Sequence, residues 1–261
     1  MEQIVEFRIG EYRGTILIVL AILILIEILI SRQWRLENYN LKETIANFAI
    51  LLGFSLSKFL FAGYQLWILN FFHRLSLFDL PGTVFVFCTC FLLTDFFFYL
   101  YHLLSHKINL LWAFHLVHHS SPWMNLTTAY RLNWLGGLIV PLFFLPTIIL
   151  GFSPNGVALC IALNLIYQFF LHTELVPKLG FLEKIFNTPS NHRVHHASNP
   201  RYIDKNFGGV LIVWDRLFGT YQAETEKTIY GVTTGFQGHN PFKLIFNGFE
   251  DLIRGKMKSK G

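Results

Sequence analysis

The chain has 261 residues, 53% hydrophobic and 14% charged, against roughly 25% charged in an average soluble domain. Its apolar residues fall in long unbroken runs, which excludes an ordinary soluble globule and points to one membrane-embedded helical domain over 1–261. The net charge of +5 is spread thinly, so no nucleic-acid partner is expected.

The first apolar run, 15–30, is followed by Arg32 and Arg35 with no small-residue cleavage site, which predicts an uncleaved anchor rather than a signal peptide. About 20 apolar residues cross the hydrocarbon of a bilayer. The run 45–72, interrupted by Lys58, reads as one long tilted span or a broken one. Further spans are expected at 82–104, 135–152 and 157–171, the last two joined by the turn Ser153, Pro154, Asn155 and Gly156. The expected fold is an all-α integral membrane protein with four to five transmembrane helices. A helical cap from 105–134 and 173–261 completes it.

The basic residues orient this multi-pass chain in a bacterial inner membrane or the endoplasmic reticulum. Arg32, Arg35, Lys42, Lys107, Arg131 and the stretch after the fifth span lie on one side, which the positive-inside rule makes cytoplasmic. Only Arg8, Arg13 and Arg74 fall opposite. The tail bearing Arg254, Lys256, Lys258 and Lys260 suits anionic headgroups, or is a solvated end. Cys88, Cys90 and Cys160 sit in apolar runs with no Cys-x-x-Cys spacing, and read as packing residues.

Eleven histidines are present. His102 and His106 form H-x-x-x-H at the end of the third span, and His115, His118 and His119 form H-x-x-H-H just beyond. His172 closes the fifth span, and His192, His195 and His196 repeat H-x-x-H-H. Residues three and four apart share a helix face, so His102 and His106 can meet one metal, as can His115 with His118 or His119. Hydrogen-bonded structural histidines explain one or two such residues, not spaced clusters at one membrane depth, where unpaired polar groups are costly. Nine imidazoles exceed one ion's needs and fit two, so the cap is expected to hold a His-rich dimetal site. His73, beside Arg74, reads as interfacial, and His239 in its Gly–His–Asn–Pro loop as a non-ligand. Asp95 is buried in the third span, where it is expected to orient a ligand histidine or to lock the bundle. Trp112, Phe114, Trp123, Tyr130 and Trp134 flank the second box as an aromatic belt or as the lining of a lipid entrance.

These boxes on an apolar scaffold resemble the fatty acid hydroxylase or sterol desaturase superfamily, over about Pro81 to Asn247. The segments INLLWAFHLVHHSS (108–121), LTTAYR (126–131), FLHTELVPKLGFLEKIFNTPSNHRVHHASN (170–199) and YIDKNFGGVLIVWDRLFGTY (202–221) look most like its alkylglycerol monooxygenase branch and bacterial relatives. YGVTT at 230–234 continues the likeness. The resemblance implies two iron ions (Fe2+/Fe3+), O2 as oxidant, and hydroxylation or desaturation of a membrane lipid. Ligand roles carry over to His102, His106, His115, His118, His119, His192, His195 and His196, with His172 the ninth. Members often carry Arg where this chain has Leu103, and His where it has Asn191, a position expected to shape the pocket beside the ligands. The chain is shorter than the animal enzymes of that branch and is expected to lack their extra C-terminal spans. No haem-attachment motif, Rossmann glycine signature or iron–sulfur cysteine pattern is visible, so electrons are expected from an external donor: reduced pterin, ferredoxin or cytochrome b5.

Two other classes compete. A metal transporter places its ligands near mid-bilayer on several spans, whereas these lie at span ends and in the cap. A zinc-dependent lipid hydrolase needs fewer imidazoles and a carboxylate base.

Overall fold

The computed structural model describes residues 9–257, with side chains from residue 14 onward. Arg8, Lys258 and Lys260 lie outside the described residues. Three long helices, α1 (Ile9–Gln33), α2 (Leu41–His73) and α3 (Val84–Lys107), carry windows long and apolar enough to cross a membrane. Much of their surface is exposed aliphatic and aromatic side chain, including Leu17, Leu29, Phe59, Leu60 and Phe85, as a lipid-facing bundle requires.

Run 45–72 is one unbroken helix. The side chain of Asn40 caps its start by accepting from the amides of Lys42 and Glu43, and the Lys58 ammonium lies 5.5 Å from the Phe54 ring centroid on its outer face. At roughly 1.5 Å per residue its 33 residues span about 50 Å, more than the ~30 Å needed to cross a hydrocarbon layer.

The expected fourth span takes a different form. Its residues make a short α5 (Gly136–Ile139), a 3-10 turn (Val140–Phe144) and a short α6 (Leu145–Ile149). Pro141 and Pro146 lack the amides that a continuous helix would use there, and each stands at the start of a new helical piece. Helix α7 (Pro154–Phe169) follows, with Ser153 capping and Pro154 at its first position. Both apolar segments are shorter than α1–α3: three helices are long and apolar enough to cross a membrane, the fourth run is divided, and the fifth is a single shorter helix.

Helices α3 and α7 run parallel. The Leu77 amide donates to the Ile149 carbonyl (2.8 Å), joining the links that precede them, and a core of Cys90, Phe98, Phe144, Ile148, Phe152, Val157 and Cys160 fills the space between. Their far ends therefore arrive together, and there the cap is built. It comprises α4 (Asn109–His119), a 3-10 turn (Leu126–Tyr130), another (Gly180–Lys184), α8 (Pro189–His196), α9 (Val213–Phe218) and α10 (Pro241–Ile253). Gly248 lets α10 lie directly on α4, since a Cβ there would come within 2.7 Å of the Ala113 carbonyl oxygen. Among the described residues the only β pairing is two isolated bridges, Phe186 with Leu211 and Ala197 with Tyr230.

Candidate metal centre

The last turns of α3 carry His102 and His106, and α4 carries His115, His118 and His119. His172 follows α7 by three residues, and α8 carries His192, His195 and His196. Helix α8 starts sharply: Thr188 caps it through the Asn191 amide, and Pro189 holds its first position. The four segments gather these nine imidazoles into two groups. His102, His106, His115, His119 and His195 form one; His118, His172, His192 and His196 form the other. Within each group, one ring nitrogen from every member lies within 4.8 Å of the rest.

Each H-x-x-H-H box divides between the groups. In the second box His115 and His119 go together, and His118 crosses; in the third, His192 and His196 go together, and His195 crosses. The groups are adjacent, with the His119 and His196 rings stacked at 4.5 Å between them.

Ring-nitrogen separations suit ligands of a shared ion. Nε2 of His115 lies 3.0 Å from that of His102 and 3.1 Å from that of His119. Nε2 of His172 lies 3.3 Å from that of His118 and 3.1 Å from that of His192, which is 3.1 Å from that of His196. Donors held roughly 2.0–2.1 Å from one metal ion sit about 3.0 Å apart in octahedral and 3.4 Å in tetrahedral geometry. Backbone carbonyls fix which nitrogen faces inward. His102 Nδ1 meets the Phe207 carbonyl at 2.8 Å, His172 Nδ1 that of Gln168 at 2.8 Å, and His195 Nδ1 that of Lys205 at 3.0 Å. An imidazole donating from Nδ1 presents its Nε2 lone pair to the centre.

Burial keeps two of the rings, those of His172 and His196, neutral, the form that binds metal. It pushes His172 down to about 4 against the opposing pull of the Gln168 carbonyl. It pushes His196 well below the usual histidine value, helped by the facing imidazoles of His118, His192, His172 and His195. The residues present fit two metal ions, one per group.

A profile of the fatty acid hydroxylase family matches residues 87–220, just over half of the chain, and this stretch contains all nine histidines. The chain belongs to the fatty acid hydroxylase family. Alkylglycerol monooxygenase of Xenopus tropicalis is 37% identical over 240 residues, covering 87% of this chain and 53% of that protein. The Homo sapiens alkylglycerol monooxygenase is 44% identical over 172 residues, covering 66% of this chain and 38% of its own length. An ornithine lipid hydroxylase of Rhizobium tropici is 32% identical over 174 residues, covering 64% of this chain and 52% of that protein. The chain spans about half the length, or less, of these curated relatives. No solved structure matches it.

Within the family scaffold, the hydrogen bonds of the two expected positioning residues, Asp95 and Asn191, run to groups around the site and not to the ligand rings themselves. Asp95 touches no ligand histidine through its hydrogen bonds. Its carboxylate accepts from the Val210 amide (2.8 Å), the Leu211 amide (3.1 Å), Trp214 Nε1 (2.9 Å) and Asn164 Nδ2 (2.7 Å). These bonds join the 210–214 segment of the cap to α3 and α7. Asn191 donates to the carbonyls of Glu183 (3.4 Å) and Phe186 (3.3 Å), bracing the start of α8. His239 stays apart from both groups and pairs with Glu43 Oε2 at 2.8 Å.

Asp204 escaped the sequence reading. Its Oδ1 lies 3.4 Å from His106 Nδ1 and its Oδ2 2.6 Å from Lys107 Nζ. Burial alone would raise its carboxyl, but His106 and Lys107 outweigh that and hold it at about 2. The available clue was a carboxylate close after the third box, since ligating histidines commonly donate their other nitrogen to one. Its partner lies 98 residues earlier, at a spacing that no local pattern reveals.

Proposed function

We propose that this chain is an O2-dependent, di-iron lipid hydroxylase that oxidises an aliphatic C–H bond of a membrane lipid. The division of nine imidazoles, eight of them buried and His115 half-buried, into two adjacent groups carries the reading, because it provides separate nitrogen-rich seats for two redox metals. The relatives' names, alkylglycerol monooxygenase and ornithine lipid hydroxylase, both describe oxygen insertion into lipids and support the reaction class. Desaturation by the same centre would yield an alkene instead.

Bound irons would supply the redox chemistry: the C–H bond and two external electrons reduce O2, with two protons taken up, giving an alcohol and water. The protein's share is placement and exclusion of water. Backbone carbonyls at Nδ1 of His102, His172 and His195 fix ring orientation. Burial of the His172 and His196 rings keeps them unprotonated at neutral pH. The parallel α3 and α7 bring the centre to one end of an apolar bundle, so a lipid chain can lie among the spans with its reactive carbon at the cap. The distribution of Lys and Arg supports a cytoplasmic location for that end, within reach of an external donor such as reduced pterin, ferredoxin or cytochrome b5.

The deciding experiment compares lipid extracts from cells with and without the gene, grown under ¹⁸O₂. Label in one lipid class of the expressing cells is the expected result. A new alkene without label would move the reading to desaturation. Lipid cleavage that persists without oxygen would make it a hydrolase, and metal uptake into proteoliposomes without lipid oxidation a transporter.

A further inference from the structure

The two histidine groups are held from behind in different ways. In the four-histidine group, His172 Nδ1 meets the carbonyl of Gln168, one turn back on the same stretch of chain. In the five-histidine group, three imidazoles from two distant elements lean on one short cap segment, 204–207. His106 meets the Asp204 carboxylate, His195 the Lys205 carbonyl and His102 the Phe207 carbonyl.

That segment is fastened on all sides. Asp204 and Asn206 adopt left-handed backbone conformations (φ 58° and 59°), which turn successive carbonyls in different directions. Asn206 Nδ2 donates to the carbonyls of Asn191 (2.9 Å) and Gln222 (2.8 Å), and its Oδ1 accepts from the Gln222 amide (2.8 Å). The Asp215 carboxylate takes the amides of Phe207 and Gly208, both at 2.7 Å, while Asp95 takes those of Val210 and Leu211. Gly209 must lack a side chain here, because a Cβ would come within 2.6 Å of Asn164 Nδ2 and 2.8 Å of Phe98. An anchored loop of this kind can hold ring positions that the helices alone leave free to rotate.

We propose that segment 204–207 tunes the five-histidine site alone, and that Asp204 is a positioning residue which sets the metal affinity of that site through His106. The two sites then load and lose metal separately. This rests on the two-metal reading above and adds an inequality between the ions. A carboxylate behind a ligating histidine fixes the ring and makes its metal-facing nitrogen a stronger donor; loss of such a partner costs about 10–100-fold in affinity.

The test is metal content and chelator competition on the full-length protein in detergent, with no turnover required. Wild type is expected to hold two ions per chain. Asp204→Ala should surrender one ion at about 10–100-fold lower chelator concentration and keep the other at its wild-type affinity. Asp204→Asn, which retains an acceptor without the charge, should fall between and covers the case that the alanine variant fails to fold. Adding His118→Ala, which breaks the four-histidine site, should make the remaining ion the labile one. Two ions held at wild-type affinity in both Asp204 variants, or both ions loosened equally, would overturn the proposal while leaving the two-metal reading intact. A folded wild type without metal would overturn both.

Discussion

One residue along an α-helix turns a side chain by about 100°, so adjacent histidines cannot face one ion, whereas residues four apart nearly can. His118 and His119 thus belong to different groups, as do His195 and His196, and each doubled histidine ties the two sites to one helix. Alanine at His118, His119, His195 or His196 should abolish turnover, and each should cost the ion of its own group first, as read by metal analysis. His73, outside both groups, should tolerate alanine with metal content and turnover nearly unchanged. Another residue-scale feature is the wholly buried Arg131. It donates to Glu43 Oε1, Asn47 Oδ1 (3.1 Å), Ser120 Oγ (2.7 Å) and the Val117 carbonyl (3.0 Å), fixing the end of α4 beside His118 and His119. Breaking one side of a buried ion pair strands the other charge at a cost of about 3–5 kcal/mol. Arg131→Met should therefore lower unfolding stability by about that amount, and pairing it with Glu43→Gln should restore part of the loss.

Single elements position the boxes through contacts that span the cap. Helix α8 carries Arg193. It pairs with Glu224 at 2.8 Å and donates to the carbonyls of Thr173 (3.1 Å) and Val176 (2.8 Å), so the third box is tied to the corner that holds His172. Burial by itself raises the Glu224 carboxyl, but the hydrogen bond and charge of Arg193 outweigh it and hold the group below its ordinary range. The unfolded chain therefore takes up this proton first as the solution is acidified. The pair's contribution is whole above about pH 4.3 and is lost as the pH falls through the folded value. Glu224→Gln should flatten this part of the acid limb, seen as a smaller change in Tm between about pH 6 and 3 than wild type shows. On α10, Gly248→Val would push against the Ala113 backbone. It should cost about 1–3 kcal/mol, and reduced metal retention should accompany it because α4 carries the second box.

Across the whole molecule, the centre is a junction of chain segments that otherwise meet through few covalent neighbours: the end of α3, α4, the corner after α7, and α8. Glu27 of α1 joins them, accepting from the Thr173 hydroxyl (2.5 Å) beside His172 and from the Leu126 amide (2.8 Å). Ions bound only by the folded arrangement stabilise it by mass action. Stripping metal from the detergent-solubilised protein should lower its Tm and expose the cap to protease before the spans; reloading should reverse both. Unchanged Tm and protection would show that the junction stands without metal.

Composition and spacing alone determined the long apolar helices and the clustering of the nine histidines, because apolar runs and i, i+3, i+4 patterns act over a few residues. The ambiguity at Lys58 lay outside that reach: a cation on an outward face leaves α2 continuous, and only the fold shows which face is outward. Pro141 and Pro146 were visible in the fourth run, but how the chain reorganises around them depends on its packing against α2 and α3. The partition into five and four, the partners of Asp95, and Asp204 behind His106 were decided by tertiary structure. Polar contacts between residues 98 to 116 positions apart depend on the paths of whole helices, which no short window of sequence contains.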